Sequence, residues 1–321
     1  MMRRRRFNAA LGAGMLPGLA AAQPAEPLRL LIGFPAGTVD LVARLLAERL
    51  APLLQRPVLV DARPGASGRL APQALKAARP DGHALLLVPH GAVTLFPQVF
   101  RPLGYDPATD LVPLAQVAVL EFVLCVSNEV PADDLRQLTT WLRHQPHAMA
   151  CATPGIGTAP HFLMARYAAL GGVQLTHVPY KSPAEVLAAL VGRHVPLAVM
   201  PLPDVQEAAQ AGRLKLMATF GARRWPLMPA LPTVREAGID LAVSGWLGLY
   251  ARAGTPGEVL AAQHEAVAQV LARPELRARL QLAGLRVGSL DGPGLARLQA
   301  QESAFWADTV RRTGFAPVAG A

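Results

Sequence analysis

The stretch GFPAGTVDLVARLLAERL, Gly33–Leu50, decides the fold. It begins as the end of a strand, turns on a glycine-bearing loop and continues as a helix. Leu41, Leu45, Leu46 and Leu50 recur at helical spacing and predict one apolar stripe. The apolar run LRLLIGF precedes it and PVLVDAR follows it, so the unit reads strand, loop, helix, strand, the length of a right-handed βαβ crossover. A helix that starts after such a loop presents amides without intrahelical partners together with the positive end of its dipole. That start can hold a phosphate, a carboxylate or only a structural cap. Asp40 reads as the N-cap, which leaves the amides of Gly37, Thr38 and Val39 for an anion, with Thr38 as the best side-chain donor.

Working outward, the same pattern repeats. ASGRLAPQALKAARPDG predicts a helix closed by a Pro-Asp-Gly turn, and ALLLV a buried strand. After the irregular RPLGYDPATDLVPL a second series opens with the strand EFVLCVS and the helix PADDLRQLTTWLRHQ, with acids in its first turn. HAMACAT, PGIGTAP, HFLMARYAAL, VQLTHV, PYKSP, AEVLAALVG and VPLAVM continue the alternation, which runs on through GRLKLMATF and TVREAG. Two successive α/β series predict two lobes. The helical tract from Glu258 to Leu282 and from Gly294 to Arg312 is too long to cap only the last strand and is expected to return to the first lobe. In open α/β sheets ligands bind beyond the carboxyl ends of strands. The loops FPAGTVD, ARPGASG, VPHGAV, TPGIGTAP and PYKSP all fall there, so two facing lobes make a cleft lined by amides and hydroxyls.

The amino terminus, MMRRRRFNAALGAGMLPGLAAAQPAEP, carries consecutive arginines, a short apolar run and small residues at Ala20 and Ala22. That is the pattern of an export signal spanning residues 1–22, and Arg4, Arg5 and Phe7 also fit a twin-arginine signal. A periplasmic protein is expected. Removing Arg3 to Arg6 lowers the formal net charge from +9 to +5 and leaves no Lys/Arg cluster with interleaved aromatics, which argues against nucleic acid. No later apolar stretch reaches the roughly 18 uninterrupted residues of a membrane helix.

Cys125 and Cys151 lie in strand-like runs and read as buried free thiols, a disulfide between neighbouring strands being the alternative. PGIGTAPHF has Pro160 where a dinucleotide fingerprint requires its third glycine, so it is not a Rossmann loop. Gly155 and Gly157 still allow close backbone approach, and the Thr158 hydroxyl can either donate to a ligand oxygen or cap the next helix. PGASG lacks the spacing of a nucleophile elbow, which makes Ser67 a helix-start hydroxyl rather than a nucleophile. His144 and His147 bracket a proline at a helix end and read as exposed, whereas His90 is placed to reach the cleft. No catalytic constellation, cofactor motif or metal-ligand spacing emerges, so neither an enzyme nor a cofactor is expected.

Taken in order, FPAGTVDLVARLLAERL, ARPGASG, AARPDGHALLLV, GYDPATDLVPLA, GIGTAPH, VPYKSPAEVLAALVG, AGRLKLMAT, ALPTVREAG and GLYARAGTP make the chain resemble the Bug receptors. These are the solute-binding components of tripartite tricarboxylate transporters. The resemblance implies an α/β, two-lobe, type II-like periplasmic binding protein with its ligand cleft between the lobes. It implies a discontinuous first domain, residues 27–121 plus 247–321, and a second domain of residues 122–246. It further implies a small carboxylate ligand, integral membrane transporter subunits as partners, and a monomer. By position, the ligand would be held by Phe34, Ala36, Gly37 and Thr38 on one side and by Thr153, Gly157, Thr158 and His161 on the other, with Tyr180, Lys181 and His90 nearby. A sensor that presents its closed form to a membrane signalling partner needs the same closure and is the alternative. The chain departs from the family pattern in its shortened AGTVD loop, in Pro154, which removes a main-chain donor, in His90 and in the loop PLPD.

Overall fold

In the computed structural model, residues 26–319 are described; the export signal expected at 1–22 lies outside them. The first series runs β1 (Leu28–Ile32), α1 (Thr38–Leu53), β2 (Val58–Ala62), α2 (Leu70–Ala77) and β3 (Ala84–Pro89). Both β2 and β3 pair with β1 in parallel, as the βαβ reading requires. The short helices α3 (Gly91–Thr94) and α4 (Phe96–Val99) and the two-residue β4 (Phe100–Arg101) lead to β5 (Leu111–Val126). The second series is α5 (Leu135–Arg143), β6 (Met149–Pro154), α6 (Ala159–Gly171), β7 (Leu175–Tyr180), α7 (Pro183–Val191), β8 (Leu197–Pro201), α8 (Leu202–Gln210) and β9 (Lys215–Thr219). The chain then crosses back along β10 (Ser244–Arg252) and ends with α9 (Gly257–Leu271), α10 (Pro274–Leu282), β11 (Arg286–Val287), α11 (Gly292–Thr313) and β12 (Val318–Ala319).

The strands form a mixed sheet of order β2-β1-β3-β10-β5-β8-β6-β7, with β9 and β11 also on β5. A parallel group at each end, β2-β1-β3 and β8-β6-β7, is the sheet of one lobe. The antiparallel strands β10 and β5 join them. β5 pairs with β10 from Leu111 to Glu121 and with β8 from Phe122 onward, so one 16-residue strand serves both lobes. This differs from the expected irregular segment before Glu121. Pro113, which has no amide to give the ladder, sits at a register shift opposite Tyr250, where the ladder tolerates it.

Other local expectations are corrected by tertiary packing. The buried stripe of α1 is Val39, Val42, Ala43, Leu46, Ala47 and Leu50; Leu45 is half-buried and Leu41 faces solvent. The N-cap of α1 is Gly37, and Asp40 sits in the first turn paired with Arg44 at 2.8 Å. In α5 the N-cap is Asp134, accepting from the Gln137 amide at 2.8 Å, and the acids precede the first turn. TVREAG is a single turn rather than a helix: Thr233 and Glu236 bond reciprocally like a capping box, but Gly238, at a φ of +89°, ends the turn. Among the C-terminal helices, α9 packs on α1 and β5, while α11 lies along β5, α3 and α4 and also reaches α6. Cys125 and Cys151 are free and buried, with β8 between their strands. Among the described residues no helix is long and apolar enough to cross a membrane.

Candidate functional site

The loops that follow β1, β2, β3, β6, β7 and β8 converge between the lobes, at the carboxyl ends of their strands. Their convergence encloses an inner cavity of about 90 Å³, walled by Phe34, Phe96, Leu120, Phe122 and Trp246. Ala36, Thr38, Ser67, His90, Thr158 and Asp204 also reach it. Toward solvent lies a wider cleft of about 570 Å³, lined by Gly155, Ile156, Tyr180, Lys181 and Glu185, and bounded from the inner cavity by Gly33, Phe34, Ser67 and Gly68. The close approach of the β1 and β2 loops depends on glycine, since a Cβ on Gly33 would stand 2.5 Å from the Gly68 carbonyl oxygen.

Hydrogen bonds tie the lobes shut across this site. The Thr38 amide and the Thr38 hydroxyl both donate to Asp204 Oδ1, at 2.8 and 2.7 Å. Ser67 Oγ donates to the Ile156 carbonyl at 3.1 Å. Thr38 is the first residue of α1, and Asp204 stands in the first turn of α8, so a carboxylate of the second lobe caps a helix of the first. The anion expected on the Gly37–Val39 amides is therefore, in this conformation, one the protein supplies itself. Asp204 is surrounded by protein on all sides yet keeps part of its carboxylate open to the cavity, and this burial raises its pKa to about 6 despite the two bonds from Thr38.

His90 also lines the inner cavity. Its ring is buried, with Nδ1 3.0 Å from Glu302 Oε2 on α11, and the other Glu302 oxygen accepts from Trp246 Nε1 at 2.9 Å. A carboxylate at Nδ1 makes that nitrogen the donor of the pair. Nε2 has no hydrogen-bond partner among the described residues, and Phe122, Trp246 and Trp306 pack around the ring.

The glycine loop of the second lobe spends its donors internally. Thr158 Oγ1 donates to the Pro154 carbonyl at 3.0 Å, so the expected donation to a ligand oxygen is unavailable here; Thr158 occupies the N-cap position of α6 without a side-chain cap bond. The Gly157 amide donates to His161 Nδ1 at 3.1 Å, and Thr153 Oγ1 meets His177 Nε2 at 2.7 Å. His161 and His177 stack 3.7 Å apart, and desolvation lowers their pKa values to about 4 and about 3, so both are neutral. Neither Thr153, Gly157 nor His161 lines the inner cavity; they shape the loop that does. Gly37 lies against Asp204, and Tyr180 and Lys181 belong to the outer cleft.

Sequence reasoning thus placed Phe34, Ala36, Thr38, His90 and Thr158 around one cavity and missed Asp204, Glu302, Trp246 and Phe122. PLPD carried the signal for Asp204, because an acid at a helix start after a strand points into a cleft; Glu302, on the outer face pattern of a long helix, had none. Among the described residues no cluster of His, Cys, Asp and Glu forms a metal-binding group.

With this geometry in place, residues 42–315 match the profile described as "Tripartite tricarboxylate transporter family receptor". The chain is 32% identical over 276 residues to the "UPF0065 protein in gbd 5'region" of Cupriavidus necator, covering 85% of this chain and 84% of that protein. The structure "R. palustris Rpa4515 with adipate" superposes with a TM-score of 0.88 at 29% identity, covering 92% of this chain and 99% of that one. "MatC (Rpa3494) from Rhodopseudomonas palustris with bound malate" does so with a TM-score of 0.82 at 29% identity, covering 90% and 100%.

Proposed function

Because the chain belongs to the tripartite tricarboxylate transporter receptor family, we propose that it is a periplasmic receptor that captures a small organic carboxylate and passes it to integral membrane transporter subunits. The observation that carries the reading is the enclosed cavity between the lobes, onto which the first turns of α1, α6, α7 and α8 all open. First-turn amides have no partner within their helices, and the aligned dipoles favour negative charge. The adipate and malate bound by the two superposable proteins support the ligand class.

The receptor works as a monomer and without a cofactor. Its lobes correspond to residues 27–121 plus 247–321 and to residues 122–246, a division supported by the change of β5 partners between Glu121 and Phe122. Closure strips water from the ligand and replaces it with fixed dipoles, so affinity comes from two loops that meet only when the lobes are shut. Native mass spectrometry of protein purified without refolding tests the reading: a retained organic acid of low mass is expected. Absence of any retained molecule, combined with no calorimetric response to mono-, di- or tricarboxylates, overturns it.

A further inference from the structure

The inner cavity has walls of hydrocarbon and, at its edge, a carboxylate with unspent hydrogen-bonding capacity. Asp204 Oδ1 is saturated by Thr38, while Oδ2 accepts no bond among the described residues and the cavity keeps the carboxylate accessible. His90 Nε2 is also unpartnered among the described residues, but its burial seals it from the cavity, with Glu302 behind the ring. A second carboxylate brought to the start of α1 would meet Asp204 head-on, because that helix start already holds a negative charge. Like charges at such distance in a water-poor site repel strongly. A donor group brought there would instead satisfy Oδ2.

The α1 end of the cavity therefore accepts a donor and repels a second carboxylate.

Resting on the receptor reading, we propose that Asp204 sets the ligand class: it fills the α1 helix start with the protein's own carboxylate, so that the site takes a monocarboxylate with an apolar middle and a hydrogen-bond donor, such as an ammonium, at its far end, and rejects dicarboxylates. Asp204 acts on the ligand directly, and Thr38 orients it.

The test is titration calorimetry at pH 7.5 with two matched series on the mature full-length protein: succinate, 4-aminobutanoate and butanoate, then adipate, 6-aminohexanoate and hexanoate. Within at least one series the amino-ended acid is expected to bind ten-fold or more tightly than the dicarboxylate, with the methyl-ended acid between them. Asp204→Asn keeps an acceptor for Thr38 and should lose the ten-fold preference for the ammonium end. Asp204→Ser vacates the helix start and should improve the dicarboxylate ten-fold or more. Circular dichroism confirms that each variant is folded, and Asp204→Asn, nearly isosteric, keeps the test decisive if Asp204→Ser is not. Tighter or equal dicarboxylate binding to the unaltered protein, an order unchanged by both variants, or no binding of any probe overturns the proposal. A dicarboxylate retained in native mass spectra would overturn it while leaving the receptor reading standing; an empty protein that binds no acid at all would remove both.

Discussion

Thr38 gives two hydrogen bonds to one oxygen of Asp204, its amide at 2.8 Å and its hydroxyl at 2.7 Å, across the gap between the lobes and 166 residues of chain. A hydrogen bond to a charged partner contributes about 1.5–3 kcal/mol. Thr38→Val keeps the amide and the shape but deletes the hydroxyl bond. It should weaken the closed form by that amount, seen as a larger radius of gyration in small-angle scattering without loss of secondary structure.

The same carboxylate makes closure sensitive to pH. Burial raises the Asp204 pKa from 3.8 to about 6, so between these values the closed protein holds a proton that the unfolded chain has released. The stabilisation from this group is complete below 3.8 and is lost as pH rises through 6. The thermal midpoint of the unaltered protein should therefore rise relative to that of Asp204→Asn as pH falls from 7.5 to 5. Glu121, raised to about 7, and the depressed histidines His161 and His177 are common to both proteins and drop out of the difference.

Gly157 is where the second lobe presses on the first. A Cβ there would stand 2.5 Å from Val99 Cγ1 and 3.0 Å from Phe100 Cζ, on a backbone with φ of +71°. Gly157→Ala should keep the lobes from closing and reduce affinity for a retained ligand by ten-fold or more in calorimetry. The left-handed backbone adds about 1 kcal/mol of strain, which leaves each lobe folded.

Glu302 accepts from His90 Nδ1 with one oxygen and from Trp246 Nε1 with the other. Glu302→Gln replaces an acceptor by an NH₂ group that faces an N–H, leaving a buried donor without a partner. A loss of about 1–3 kcal/mol in urea unfolding is expected, accompanied by changed Trp fluorescence.

The thiols offer a simple check of the core. Burial pushes the Cys125 thiol up to about 12 and raises that of Cys151 as well, and β8 separates their strands. Neither should react with a thiol reagent in native buffer, and both should react in denaturant without prior reduction.

Much of the fold was legible because βαβ grammar is local: apolar periodicity marks β1, α1, β2 and β3, and the same rhythm marks β6 through β8, whereas α8 begins where PLPD read as a loop. The cap of α1 was not, because Asp40 is a plausible capping residue in sequence, while the group that does the capping comes from Asp204 in another lobe. The first half of β5 was hidden for a related reason. Its strand character comes from pairing with β10, more than a hundred residues away, which overrides the local signals of Pro113, Gln116 and Glu121. At the site, the loops could be placed from their position after strands. Which donors they keep free could not, since Thr158 and Gly157 choose partners by angles that spacing does not encode.

Because β5 passes without interruption from one lobe into the other, with antiparallel β10 beside it, the molecule has no slack linker on which to swing. Any rotation of the halves must be taken up as added twist in this two-stranded ribbon, where the register shifts at Leu247/Gly248 and Leu249/Tyr250 already loosen the ladder. Such a ribbon behaves as a torsion spring. A side chain added at Gly248 would stand 2.8 Å from the Trp246 ring, so the strand that joins the halves also backs the wall of the chamber.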